Sequence, residues 1–314
     1  MEYRELGTTG LQVSRMCFGA LTIGPLQRNL SVAEGGRLIR QALEAGINFI
    51  DTAELYRTYP YIKEALKGWS RPEQVVIATK SYAYTAEGMV QSLEKARREM
   101  DLDVIPIFML HEQESEYTIK GHWPALEVLF EAKAKGIVRT IGISTHHVAG
   151  VLGACKYPEI EVVSPLINLT GIGIQGGTRD EMLAAIQQAY SMGKGIYAMK
   201  PLGGGHLISR RRDAFSFLLE LPTVHSIAVG MKSTEELERN ISFFEGTPLP
   251  DEDFVQPERK LHFDEWCIAC GQCVQACPNK ALHIESERVI VDTDKCVFCG
   301  YCGAACPEFA VKVI

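Results

Sequence analysis

Near the end of the chain stands Cys267-Ile-Ala-Cys270-Gly-Gln-Cys273-Val-Gln-Ala-Cys277-Pro278, and it recurs as Cys296-Val-Phe-Cys299-Gly-Tyr-Cys302-Gly-Ala-Ala-Cys306-Pro307. Each copy reads C-x2-C-x2-C-x3-C-P, a spacing that holds [4Fe–4S] clusters. Short spacers let three thiolates curl round one face of an iron–sulfur cube, while the fourth, ahead of the proline, crosses to the cube of the other copy. The spacing predicts one cluster on Cys267, Cys270, Cys273 and Cys306, and a second on Cys296, Cys299, Cys302 and Cys277. Zinc is the competing reading, but it usually takes two separated cysteine pairs rather than a run of three with a fourth before proline. A disulfide framework would need an oxidising compartment.

Over residues 258–314 the tail resembles a bacterial dicluster ferredoxin, which implies a small α+β unit. Between the two motifs, Ala281-Leu-His-Ile284 and Arg288-Val-Ile-Val291 predict a short hairpin, with β-branched residues on either side of a polar turn.

The chain has 314 residues, so roughly 250 precede this tail, a size typical of one α/β barrel. In that portion strands and helices alternate. After a hairpin over residues 3–14 with its turn at Thr9-Gly10, strands are predicted at Arg15–Ala20, Asn48–Ile50, Val75–Ala78, Val104–Leu110, Thr140–Ile143, Val162–Leu169, Ile196–Met199 and Ser226–Val229, each followed by a helical pattern. The first helix opens on a capping pair, Ser31 with Glu34, and stops at Gly46. Eight such units argue a closed (β/α)8 barrel. A doubly wound open sheet is the alternative, but no G-x-G-x-x-G follows the first strand. The expected organisation is a barrel over 1–245, a proline-bearing linker over 246–257 and the ferredoxin-like unit over 258–314.

Composition limits the partners. The net charge of −7 argues against nucleic acid. No apolar run reaches the ~18 residues of a membrane helix, and the first residues have no signal-peptide apolar region. Eight of the ten cysteines sit in the cluster motifs, which fits a reducing cytoplasm; Cys17 and Cys155 read as small core residues.

Four barrel residues carry chemistry. Asp51 follows the second strand with Tyr56 in the loop behind it, Lys80 ends the third strand and His111 ends the fourth. Strand ends share one face of a barrel, where active sites form. A tyrosine hydroxyl titrates near pH ~10. A lysine beside it is expected to favour the phenolate and lower that value, with Asp51 holding the lysine and His111 bonding a substrate oxygen. Such a set can protonate a carbonyl oxygen as hydride arrives, or do the reverse.

On Gly46-Ile-Asn-Phe-Ile-Asp51-Thr-Ala-Glu-Leu-Tyr56, Ala78-Thr-Lys80 and Met109-Leu-His111, residues 1–245 resemble the aldo-keto reductases. The resemblance implies a catalytic tetrad of Asp51, Tyr56, Lys80 and His111, and NAD(P)H lying extended across the strand ends without a Rossmann domain. Gly230-Met-Lys232-Ser233-Thr-Glu-Glu236-Leu-Glu-Arg239-Asn240 resembles the family's adenosine-phosphate segment, which implies nucleotide contacts from Lys232, Ser233 and Asn240. Glu236 stands where many NADPH users have arginine, so NADH versus NADPH stays open. Lys200-Pro-Leu-Gly203-Gly204-Gly205 offers bare backbone to a pyrophosphate, with a flexible loop as the alternative. Nearer the nicotinamide the resemblance implies Ser144, Asn168 and Met199; Met199 replaces the family's stacking tyrosine, Thr145 its asparagine and Ser164 its glutamine. Other histidines, such as His122, His146, His147 and His225, show no metal-ligand spacing and read as surface or structural.

Three functions fit this sequence. One is a nicotinamide-dependent oxidoreductase for small carbonyls or alcohols, connected through its clusters to an electron pool or redox protein. Another is a reductase in which a flavin, or a substrate tolerant of single electrons, is fed by the clusters. The third is a non-catalytic electron-transfer or redox-sensing subunit, against which a complete tetrad argues.

Overall fold

A computed structural model describes residues 1–247, 260–277, 279–296 and 301–313. The eight barrel strands are Met16–Gly19, Phe49–Asp51, Val76–Ser81, Ile105–Leu110, Val138–Thr145, Val162–Pro165, Gly195–Ala198 and Ser226–Gly230. All pair in parallel, each with the next, and Ser226–Gly230 returns to Met16–Gly19 to close the barrel. The open-sheet alternative is thereby excluded. The sixth strand ends at Pro165, four residues short of its predicted end at Leu169, with one isolated parallel bridge, Leu166 to Met199, beyond it.

Alternation along short buried strands sorts their side chains into two cores. Cys17, Phe49, Val76, Ala78, Ile107, Met109, Val162, Tyr197 and Ala228 fill the barrel interior. Leu6, Leu11 and Val13 join that cluster from the N-terminal hairpin, Tyr3–Glu5 against Gln12–Ser14, which plugs the bottom. The opposite faces pack under the helices in a larger cluster that includes Leu38, Ile39, Leu93, Leu126 and Ile186. The helices start where the caps predict: Ser31 and Glu34 form a capping box for Val32–Glu44, and Thr178 and Glu181 do so for Arg179–Ser191. Cys17 and Cys155 are buried, as expected of small core residues.

The tail carries the predicted hairpin as Leu282–Glu285 and Arg288–Val291, with Ser286 and Glu287 both at positive φ in its turn. A second pairing was not anticipated: Leu261–Phe263 runs antiparallel to Val311–Val313. Cys273, Leu282, Val289, Cys302 and Val311 form the tail's own core. The linker expected over 246–257 lies outside the described residues from position 248 onward. No described helix is long and apolar enough to cross a membrane.

The tail sits on the mouth of the barrel. The Nε2 of His206 stands 3.2 Å from the carbonyl oxygen of Val311, Gln175 donates to the carbonyl of Pro307, and Arg57 faces Glu265 at 3.8 Å. Gly205, at φ +94°, lies so close to this strand that a Cβ there would be 1.9 Å from the backbone oxygen of Val313. A Gly205→Ala variant therefore has to push strand Val311–Val313 off the barrel and hold alanine in a conformation it rarely adopts. A loss of at least about 2 kcal/mol is expected. Thermal unfolding and limited proteolysis check it: an unchanged melting temperature with an equally protected tail would contradict the packing.

Candidate active site

The tetrad residues meet because neighbouring strands end together. Asp51 closes the second strand, Lys80 lies in the third and His111 follows the fourth directly. Lys80 Nζ stands 2.6 Å from Asp51 Oδ1 and donates to the carbonyl of Thr52 at 2.8 Å. Both side chains are buried, so the charges face each other with little solvent between them. Tyr56 arrives on the short 3-10 turn Glu54–Tyr56. Its ring lies 5.1 Å from Lys80 Nζ and meets the His111 ring edge-on, centroids 5.6 Å apart.

Tyr56 does not behave as a lysine neighbour alone would make it. Burial pushes its pKa well above the usual tyrosine value, and the negative charge of Asp51 adds to the rise. Lys80 has its counter-ion at contact distance, so it offers little to a phenolate. The hydroxyl is thus held protonated, as a donor. The His111 pKa is lowered to about 3, chiefly by burial, so the imidazole is neutral. Its Nδ1 has no hydrogen-bond partner; the ring is held by stacking on Tyr82 at 4.3 Å between centroids.

Two neighbours escaped the sequence reading. Tyr197 donates to Asp51 Oδ1 at 2.8 Å, placing a second hydrogen bond on the carboxylate that holds Lys80. His146, read as surface or structural, is buried at the mouth, 2.8 Å from Lys200 Nζ and 3.4 Å from Glu112 Oε1.

A cavity opens beside this centre. Asp51, Tyr56 and Met199 line one end, Lys200 and Gly204 follow, and Lys232, Glu236 and Asn240 line the other. Thr22, Arg28 and Arg211 from the barrel, and Lys312 and Val313 from the tail, complete the wall. Of the residues expected at a nucleotide, Met199, Lys200, Gly204, Lys232 and Asn240 are on it. Gly203, Ser144, Asn168 and Ser233 are not. Ser144 Oγ accepts from the Glu112 amide at 2.9 Å, Asn168 donates to the carbonyl of Ile172 at 3.0 Å, and Ser233 caps the helix Thr234–Phe244. Glu236 Oε2 accepts from the Lys232 amide at 2.9 Å, and burial raises its pKa.

Gly203, Gly204 and Gly205 all have positive φ. Gly205 meets Val313, while a Cβ on Gly204 would fall 2.8 Å from the Lys312 side chain. The glycine run therefore admits the tail as well as opening backbone to the cavity.

In the tail, Cys267, Cys270, Cys273 and Cys306 converge on one hollow beneath Val289 and Ala310. Burial raises the Cys273 pKa to about 11, with Cys306 and Cys267 adding to it; clustered thiolates need cations among them. Backbone amides point at the crossing cysteines, Ala310 to Cys306 Sγ at 3.2 Å and Ala281 to Cys277 Sγ at 3.3 Å. Among the described residues no three Cys, His, Asp or Glu side chains converge tightly enough for a single ion. The first four cysteines line one hollow and supply the number of thiolates that one iron–sulfur cube takes. Of the second set, Cys277, Cys296 and Cys302 are described and Cys299 lies outside the described residues.

Comparison with known proteins agrees with both halves. The sequence model for the 4Fe-4S dicluster domain matches residues 266–310, and that for the aldo/keto reductase family matches residues 15–215. Similar proteins include 6-dehydroglucose reductase of Novosphingobium aromaticivorans, 29% identical over 66% of this chain and 71% of the relative. L-galactose dehydrogenase of Arabidopsis thaliana is 24% identical over 77% of this chain and 88% of its own. Among solved structures, the holo form of an aldo-keto reductase from Bacillus halodurans superimposes with a TM-score of 0.67 at 22% identity, covering 80% of this chain and 93% of its own. With the family's model matched across most of the barrel, the chain belongs to the aldo/keto reductase family of oxidoreductases and carries a 4Fe-4S dicluster domain at its C-terminal end.

Proposed function

We propose that the barrel reduces a small carbonyl compound to an alcohol with a nicotinamide nucleotide, and that the two clusters connect it to a redox partner. The observation that carries this reading is the arrangement around Tyr56: a protonated hydroxyl beside the Lys80–Asp51 pair and neutral His111, at one end of a cavity that runs to Lys232 and Asn240. When bound, the nicotinamide supplies hydride to the carbonyl carbon. Tyr56 gives its proton to the carbonyl oxygen, and neutral His111 orients that oxygen by hydrogen bonding. Lys80, fixed by Asp51 and Thr52, neutralises the Asp51 carboxylate that would otherwise repel the phenolate left behind, and Tyr197 keeps Asp51 in place. Lys232 and Asn240 are suited to the adenosine end of the nucleotide. Anaerobic turnover of a carbonyl panel with NADH and NADPH tests the proposal; no turnover with either would overturn it.

Glu236 bears on which nucleotide is used. Its carboxylate lies on the cavity wall beside Lys232 and would repel a 2′-phosphate. Glu236→Arg should shift the NADPH-to-NADH ratio of kcat/KM upward by ~10-fold or more, about 1.4 kcal/mol. An unchanged ratio would place the nucleotide elsewhere.

A second reading draws on Met199, which lacks the flat face of the family's tyrosine, and on a cavity wall partly built by the tail. In it a flavin, or a substrate that accepts single electrons, takes electrons from the clusters. Absorbance of anaerobically purified protein separates the two, because flavin adds bands of its own.

A further inference from the structure

Lys200 follows the seventh barrel strand with φ +58°, a left-handed conformation uncommon for a residue with a long side chain. Its carbonyl accepts from the Gly203 amide at 2.9 Å, which closes the turn. The ammonium reaches the catalytic cavity, where its polar neighbour is His146 Nε2 at 2.8 Å. His146 is itself kept neutral, by burial first and by the charge of Lys200 next. No described carboxylate forms an ion pair with Lys200. The nearby acids are engaged elsewhere: Glu112 accepts from Tyr82 at 2.6 Å, and Asp264 pairs with Lys312 at 2.8 Å.

The tail completes this corner. The Phe309 ring has Lys200 Nζ at 4.4 Å and Lys312 Nζ at 4.2 Å from its centroid. Two ammonium groups thus share one aromatic ring, and both line the cavity that holds Tyr56. Burial lowers the Lys200 pKa to about 7, and repulsion from Lys312 adds to the fall. Charges sunk into a protein are ordinarily paired within it. Here the fold brings two cations together and gives one of them no described carboxylate at contact distance, Glu112 and Asp264 acting on it only from further off, and it meets open space beside the catalytic residues.

Building on the carbonyl-reductase reading, we infer that Lys200, set against Phe309 and Lys312 of the tail, seats the anionic group of the substrate, so that the preferred substrate is a carbonyl compound bearing a carboxylate. The carbonyl then lies between Tyr56 and His111 and the carboxylate against Lys200, near enough for the Lys200 charge to act on His111. Nucleotide phosphates are the other source of an anion in this cavity. Arg28, Arg211 and Lys232 line other parts of its wall and suit them, while Lys200 lies on the side that the tail covers. The iron–sulfur unit would then help select the substrate as well as carry electrons.

Chemical labelling tests this on the whole protein, purified anaerobically with its clusters. A lysine with a pKa of about 7 has roughly half its amine unprotonated at neutral pH, so it reacts with a limiting amine-acylating reagent ahead of surface lysines, and peptide mapping locates it. Short 2-oxo, 3-oxo and 4-oxo acids, the matching methyl ketones and inorganic pyrophosphate serve as protectants. The expected result is that at least one oxo acid slows Lys200 labelling by ~10-fold while its methyl ketone does not. Protection by pyrophosphate but by no oxo acid would overturn the inference and give Lys200 to the nucleotide; so would labelling that none of them slows. In turnover, Lys200→Gln should cut the preference for acid over ketone by ~10-fold or more and leave nucleotide Kd unchanged. Loss of nucleotide affinity with an intact acid preference would overturn it. Because the labelling needs no catalysis, a barrel that turns over no carbonyl at all would defeat the functional proposal while the seat is still read independently.

Discussion

Tyr56→Phe should lower kcat for carbonyl reduction by ~10²–10⁴-fold, the usual size of a positioned general acid's contribution. The substitution removes one oxygen and keeps the ring. The edge-on contact with His111 and the approach to Lys80 survive, so the fold and the nucleotide cavity stay as they are. Nucleotide affinity, followed by fluorescence titration, should change by less than ~3-fold, since the hydroxyl acts on the reacting oxygen in the transition state and not on the nucleotide. The sign of the pKa shift adds a second expectation. Burial and Asp51 raise the Tyr56 pKa, so its protonated form persists past the ordinary tyrosine value of about 10. Reduction by the wild type should show no loss on the alkaline side that traces to this hydroxyl between neutral pH and ~10. A variant with wild-type turnover would remove Tyr56 from the chemistry. An alkaline limb near neutral pH that vanishes in Tyr56→Phe would mean that Lys80 prevails over burial after all.

The barrel and its four central residues were legible because each depends on short-range sequence. A strand of three to eight residues, a glycine stop and a capping box are local signals, and Asp51, Lys80 and His111 are placed merely by where their strands end. What stayed hidden depends on contacts between distant parts of the chain. Tyr197 and Asp51 are 146 positions apart, and nothing in the local pattern pairs them. His146 reads only as surface or structural because its neighbours Lys200 and Phe309 come from the loop after a later strand and from the tail. The glycine run at 203–205 was read toward a pyrophosphate, since bare backbone suits a phosphate; yet it equally suits the close passage of another strand, and Val313 is that strand's residue. Tyr56 was expected to be acidified by its lysine. A sequence shows which charges are near but not how deeply the hydroxyl is buried, and burial is the larger cause here. The pairing of Leu261–Phe263 with Val311–Val313 was missed because the two short strands lie at opposite ends of the tail.

Cys306→Ala should remove the first cluster, leave the second, and disturb the barrel as well. The sulfur of Cys306 faces the hollow lined by Cys267, Cys270 and Cys273, although its neighbours in sequence belong to the other motif. Iron content should therefore fall by about half, with the remaining signal belonging to the cluster on the second motif. The effect on the barrel follows from what comes next in the chain. Cys306 accepts from the Ala310 amide, Phe309 packs on Lys200, and Val311–Val313 lies along the glycine turn. A cluster that fixes Cys306 also fixes the segment that walls the catalytic cavity. Its loss should raise KM for a carbonyl substrate several-fold and expose residues 307–313 to protease. Cys277→Ala supplies the contrast. Cys277 leads into Lys280, Ala281 and the hairpin strand Leu282–Glu285, not into the strand that walls the cavity, so its loss should damage the second cluster with KM nearly unchanged. Selective loss of the first cluster in Cys277→Ala would contradict the crossing of the fourth cysteines. If both variants leave KM untouched while each loses its own cluster, the tail would bind its iron independently of the cavity wall, and coupling between the halves would have to run through electrons alone.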